Sequence, residues 1–230
     1  MSIEIITSHE PTTNQQPHLQ TLAFEPNNDI ELILPPQVNE KPFSFIICLQ
    51  SQPTSWPLQA LCTLVQNNLA LGLVKIEPTL SQKKQIALIH QATRHLLLHA
   101  YRFNLDTNRY LIWGIRQSAW LAHQALVTMR QQAYHTQDCR VLPLRYRGVI
   151  MSAPIQLENL LWADNRFKQA PCFIVSCDDP KQDCIAKLTA SGHEVLFYHL
   201  PESQNMDDSF YTPYILDKMI TFAKEILEKK

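Results

Sequence analysis

The sequence predicts an α/β domain: a mostly parallel central sheet with antiparallel N-terminal strands and helices on both faces. Three observations carry that expectation. From Phe43 onward, short apolar runs alternate with stretches of helical periodicity, the order that builds strand–helix–strand units. Before them, Leu19–Glu25 and Ile30–Leu34 are β-prone runs joined by the turn-rich Pro26–Asp29, which suits antiparallel pairing. The run Phe43–Leu49 is apolar but for Ser44, as in a strand covered on both faces.

Each element follows in order. Residues 3–7 are β-prone and 11–17 are turn-rich, so 1–19 read as an irregular lead-in to one domain spanning 1–230. Pro35-Pro36 breaks the chain before the main body. A strand at 43–49 leads to a helix at 56–69 built on Leu58, Leu61, Leu64 and Val65. A strand at 71–76 precedes a long helix at 79–101 with Ile86, Ile89, Thr93, Leu96, Leu97 and Ala100 on one face. The strand at 109–113 ends at Gly114, and a helix at 117–133 carries Ala119, Ala122, Leu126 and Met129 in register. A strand at 148–152, a short helix at 157–167 and a strand at 172–177 come next. A helix at 180–190 is closed by Ser191-Gly192, since glycine tolerates the left-handed cap. The strand at 195–199 precedes a terminal helix at 213–229, with proline in its first turn and Ile215, Met219, Phe222, Ile226 and Leu227 as its stripe.

Composition narrows function more than it names it. The chain has 230 residues, 45% hydrophobic and 18% charged, enough for a sizeable core. Lys plus Arg is 20 and Asp plus Glu is 21, a formal net charge of −1, which argues against nucleic acid or anionic lipid held by bulk charge. There is no apolar run of about 18 residues, so no membrane insertion is expected. No secretory pattern opens the chain, and a cytoplasmic location is expected.

Cys48, Cys62, Cys139, Cys172, Cys177 and Cys184 form no CxxC pair, which fits reduced thiols. A metal site from Cys172, Cys177 and Cys184 requires gaps to close across a strand and a helix. The nine histidines form no HExxH, so no metal is expected. There are only 4 glycines, against roughly 16 at average usage. None forms a G-x-G-x-x-G or a phosphate loop, so no cofactor is expected.

The segment Arg109-Tyr-Leu-Ile-Trp-Gly-Ile-Arg-Gln-Ser-Ala-Trp-Leu-Ala-His-Gln-Ala125 resembles the nucleophile-elbow region of the α/β-hydrolase superfamily. There a strand ends in G-x-S-x-G and a helix follows. Gly114 matches the first glycine, Arg116 takes the nucleophile position and Ser118 the last glycine. Phe43 to Gln50 resembles the strand leading to the oxyanion loop, with Leu49-Gln50-Ser51 in place of its His-Gly. Gly148 to Pro154 resembles the strand after the elbow helix. Pro171 to Asp179 resembles the strand that delivers the acid, at Asp179 or its neighbour Asp178. After the last strand, Asn205 stands where the histidine is expected.

The resemblance therefore implies a degenerate member lacking nucleophile and catalytic histidine. Arg116 stays protonated and cannot attack, and Asn205 cannot shuttle a proton as imidazole does. Ser118 and Cys177 are the rescue candidates, Cys177 in company with His199 or His193. Ser152 and Ser176 end strands near the same rim, where local backbone bonding is the plainer role. Arg116 reads either as an anion clamp facing the pocket or as a cation escaping to solvent.

Arg140, Arg145 and Arg147 form a basic loop, open to an acidic partner or simply solvated. Trp113, Trp120 and Trp162 fill the former cavity or stack on a ligand; no chemistry is assigned to Asp207-Asp208. Arg116, Trp120, Arg145 and Arg147 are the candidate binding residues.

The expected function is an inactive scaffold that binds a protein partner, as a subunit of a bacterial multiprotein assembly such as a secretion complex. The 31 Gln and Asn residues suit such polar contact surfaces. The alternative is an esterase-like hydrolase with a displaced serine or cysteine nucleophile.

Overall fold

The computed structural model describes residues 17–25, 28–36, 41–51, 56–138, 140–154, 169–177, 182–200 and 210–229. Eight strands form one sheet: β1 (His18–Glu25), β2 (Asn28–Leu34), β3 (Phe43–Gln50), β4 (Ala70–Lys75), β5 (Leu105–Ile115), β6 (Val149–Ser152), β7 (Cys172–Ser176) and β8 (Val195–His199). Their order is β1-β2-β4-β3-β5-β6-β7-β8. The pairs β1–β2 and β2–β4 are antiparallel, and every pair from β4 to β8 is parallel. The predicted α/β class, with antiparallel strands at the N-terminal side, is the one observed.

Helices α1 (Leu58–Gln66), α2 (Gln82–Leu98), α3 (Gln117–Thr128), α4 (Gln182–Ala190) and α5 (Pro213–Glu228) cover the two faces. Strand alternation divides the core between them. Phe45, Ile47, Ile112, Met151 and Ile174 point to the layer of α2, α3 and α4. Ile46, Cys48, Leu111, Trp113 and Phe173 point to the layer of α1 and α5. Both faces of the central strands are thus buried, which is why β3 is apolar at every position from Phe45 to Leu49. In α5, Ile215, Met219, Phe222 and Ile226 all lie in the core, each contributing about 1.5–3 kcal/mol by leaving water. Thr212 caps that helix by accepting from the Ile215 amide at 3.3 Å.

Several boundaries differ from the periodic reading. The long helix stops at Leu98, followed by a 3-10 turn over Ala100–Phe103 that ends in left-handed Asn104 (φ 52°). Helix α3 stops at Thr128, because the chain turns before a second 3-10 segment at Gln132–Tyr134. Strand β5 begins at Leu105 and runs through Gly114, longer at both ends than predicted. Gly192 takes φ 91° after α4, as a glycine cap should. The predicted strand at 3–7 and helix at 157–167 lie outside the described residues. Among the described residues, no helix is long and apolar enough to cross a membrane.

Candidate active site

Strand β5 lies between β3 and β6, and its carboxyl end makes an abrupt turn into α3. Arg116 is the turning residue, at φ 56° and ψ −117°. A side chain held there costs about 1–3 kcal/mol, so surrounding structure must impose the conformation. It does so through both backbone groups of Arg116. The amide donates to the Ser152 carbonyl at 2.8 Å, and the carbonyl accepts from the Ala119 amide at 3.1 Å. The turn is also compressed. A Cβ on Gly114 would stand 2.0 Å from the Ser118 carbonyl oxygen, so only glycine fits. Small, fully buried Ser118 completes the close approach of helix to strand.

The parallel strands bring their carboxyl ends to one rim, the usual ligand-facing edge of such sheets. Gln50 and Ser51 come from β3, Arg116 from β5, Ser152 and Ala153 from β6, Ser176 and Cys177 from β7, and His199 from β8. Exposure separates the nucleophile candidates. Ser51, Ser118, Ser152 and Ser176 are 4%, 0%, 0% and 2% exposed, out of reach of a substrate carbonyl. The Ser152 hydroxyl accepts from the Trp113 indole at 2.9 Å, and the Ser118 hydroxyl has no partner among the described residues. Cys177 is half-buried and free of any disulfide. Exposed His199 sits beside it, with Nε2 3.1 Å from the Cys177 carbonyl oxygen. A carbonyl only accepts, so Nε2 carries the hydrogen and Nδ1 is left as the basic nitrogen.

Other candidates lie elsewhere. Asp178, Asp179, Asn205, Asp207, Asp208 and Trp162 lie outside the described residues. Trp113 is a core residue of the α5 side, edge-on to Tyr211 at 5.7 Å, while half-buried Trp120 packs in the opposite layer. Arg116 and the arginines of the 140–147 loop are not brought together. Arg147 donates to the Asn108 carbonyl at 3.0 Å, and the Arg145 amide donates to the Tyr110 hydroxyl at 2.6 Å. Tyr110 lies six residues up β5 from Arg116, about 20 Å away. That end holds a shallow groove of about 460 Å³ lined by Arg130, Arg145, Tyr146 and Arg147, with its own basic character. Arg140 pairs with exposed Asp138 at 2.9 Å.

The sequence reading missed one constellation. Cys172 and Cys177 stand at opposite ends of β7, about 16 Å apart, so they cannot share an ion. Cys172 instead meets His123 of α3 and His193, which precedes β8; all three are buried, and one ligand atom from each lies within 4.8 Å of the others. The rings of His123 and His193 are 5.2 Å apart, and Cys172 Sγ is 3.3 Å from His193 Nδ1. His193 Nδ1 donates to the Ala170 carbonyl at 2.6 Å. His193 Nε2 and both nitrogens of His123 have no hydrogen-bond partner among the described residues. Leaving such groups unpaired costs about 1–3 kcal/mol each. Burial holds the His123 imidazole neutral, its pKa lowered to about 3, and pushes the Cys172 thiol up. Only the convergence of α3 with the ends of two strands reveals this cluster; no spacing in the sequence does.

No protein-family model and no curated protein matches the sequence. Solved structures do match its fold. Esterase 2 of Thermogutta terrifontis, phosphorylated by paraoxon, aligns with a TM-score of 0.70 at 14% identity, over 96% of this chain and 98% of that one. Esterase B from Lactobacillus Rhamnosis aligns with a TM-score of 0.73 at 10% identity, over 95% and 89%. A truncated carbohydrate esterase from gut microbiota aligns with a TM-score of 0.69 at 13% identity, over 87% and 91%.

These neighbours overturn the expectation of an inactive scaffold and, with it, of a secretion-complex subunit. These three structures, which share the architecture over most of the chain, are esterases, and they favour the displaced-nucleophile alternative. Arg116 at the turn describes one position, not the fate of the rim. At identities this low the likeness establishes architecture, and the architecture of this chain is the α/β-hydrolase fold.

Proposed function

We propose that this chain is an esterase-like hydrolase whose nucleophile has moved from the elbow to Cys177, with His199 as its base. One observation carries the reading. Of the serines and the cysteine named on the rim, Cys177 is the one that solvent reaches, and its own carbonyl holds the His199 ring with Nδ1 as the basic nitrogen. A thiol suits the task because it ionises far more readily than a serine hydroxyl.

The steps balance without a cofactor. His199 Nδ1 takes the Cys177 thiol proton, and the sulfur attacks the ester carbonyl carbon. The tetrahedral oxyanion collapses, the alkoxide leaves with the proton returned by His199, and a thioester remains. Water then attacks that thioester with His199 again accepting a proton, and the carboxylic acid departs as the thiol is restored. Arg116 places a cation on the same rim, suited to a developing oxyanion. Support also comes from the esterase neighbours, one of which takes an organophosphate.

The test is hydrolysis of p-nitrophenyl acetate by wild type, Cys177→Ala and His199→Gln, with mass spectrometry after fluorophosphonate and iodoacetamide treatment. The reading expects turnover that both variants lose while still melting as wild type does, and an adduct on Cys177. Turnover unchanged in Cys177→Ala, an adduct on Ser118, or no turnover in wild type overturns it.

A further inference from the structure

We propose that His123, Cys172 and His193 form a buried binding site for one thiophilic d10 metal ion, Zn(II) or Cu(I). Three separate elements deliver the donors: α3, the first residue of β7 and the segment entering β8. All three side chains are shielded from solvent and converge within 4.8 Å. Zinc–imidazole and zinc–thiolate bonds of about 2.0–2.3 Å put donor atoms about 3.3–3.6 Å apart, so closing on an ion needs a contraction of up to about 1.5 Å.

Donor chemistry selects the ion. No carboxylate belongs to the cluster, which excludes hard cations such as Mg²⁺ and Ca²⁺, whereas imidazole with thiolate suits soft and borderline metals. The surroundings fit as well. The Ala170 carbonyl holds His193 by Nδ1–H, the type of outer contact that orients a ligating histidine and frees Nε2 as its lone-pair nitrogen. His193 Nε2 and both nitrogens of His123 have no hydrogen-bond partner among the described residues, which leaves lone pairs for an ion. Cys172 contributes a proton on binding and becomes the anionic ligand. Among the described residues the cluster has three members and no fourth, which suits trigonal Cu(I), neutralised by the thiolate; Zn(II) would require a water as its fourth ligand.

The site is independent of the proposed hydrolysis, since it lies at the opposite end of β7 from Cys177. Full-length protein, stripped by chelator under reducing conditions, is titrated with Cu(I) against bicinchoninate and with Zn(II) against a chromophoric chelator. Co(II) serves as the spectroscopic substitute for zinc. One ion per chain is expected, with a thiolate-to-cobalt band in the near ultraviolet and a raised melting temperature. Cys172→Ser should lose the band and weaken binding by more than about 100-fold, beyond the usual effect of an outer contact. Cys62→Ser, at an exposed thiol, and Cys177→Ala should bind as wild type does. Should Cys172→Ser fail to fold, His193→Gln gives the same reading. Failure of wild type to hold an ion against the chelators, or equal binding by Cys172→Ser and His193→Gln, overturns the site. Loss of esterase activity in Cys177→Ala with the ion retained separates the two proposals.

Discussion

The Trp113 indole N–H donates to the Ser152 hydroxyl at 2.9 Å inside the core beneath the elbow. That bond commits Ser152 to structure. Ser152→Ala should therefore leave ester turnover unchanged, yet lower stability by about 1–3 kcal/mol by stranding the buried indole donor. Urea unfolding and the p-nitrophenyl acetate assay on one preparation check both halves.

Arg116 occupies backbone space that only glycine enters without strain. Arg116→Gly should raise the unfolding free energy by about 1 kcal/mol, measured by urea denaturation. Arg116→Ser is expected to add no esterase activity, because the resemblance aligns Asn205 with the histidine that an elbow serine would need. A gain in turnover over wild type in that variant would show a base within reach of the elbow.

Two glycines should respond to substitution very differently. In Gly114→Ala the new methyl meets the Ser118 carbonyl at 2.0 Å, a backbone clash that cannot be relieved without moving α3. A loss above about 4 kcal/mol, or no soluble protein, is expected. In Gly72→Ala the nearest atom is Leu96 Cδ1 at 2.8 Å, the end of a side chain that can change rotamer. That variant should fold, losing about 1–3 kcal/mol from overpacking by thermal or urea melts.

His90 predicts how stability responds to acid. Burial lowers its pKa to about 4, against the usual 6.5, and the nearby positive charges of His135 and Arg94 push the same way. The Ala125 and Tyr134 carbonyls, each 3.0 Å from a ring nitrogen, accept together only from the protonated ring, and so oppose that shift without cancelling it. Below pH 6.5 the unfolded chain binds a proton that the folded chain refuses, so the stabilising contribution is complete above 6.5 and is lost towards 4. Near pH 5 the loss from this one group is about 2 kcal/mol. The difference in unfolding free energy between about pH 7.5 and about pH 5 should be smaller by that amount in His90→Gln.

The sheet was readable because buried parallel strands leave a signature in residue type. Phe45–Leu49 and Cys172–Val175 are apolar at every position, as strands covered on both faces require. The elbow was readable from Gly114, whose missing side chain is a steric demand. Helix ends were less so: the turns at Asn104 and Met129 depend on tertiary packing, while helical periodicity runs on past them. The rim was half visible. Cys177 and His199 end adjacent parallel strands, so their neighbourhood follows from topology, but the burial that removes Ser118 and Ser152 from contention depends on packing. His123, Cys172 and His193 left no trace, because distant positions meet only through the winding of α3 against β7 and β8.

At the elbow, the strand carbonyl of Ser152 and the helix amide of Ala119 grip the main chain of residue 116 and leave its side chain out of the bargain. The turn is thus a socket whose shape is set by its neighbours and whose occupant is interchangeable. A chain with such a socket can trade one chemistry for another at that point without rebuilding anything beneath it.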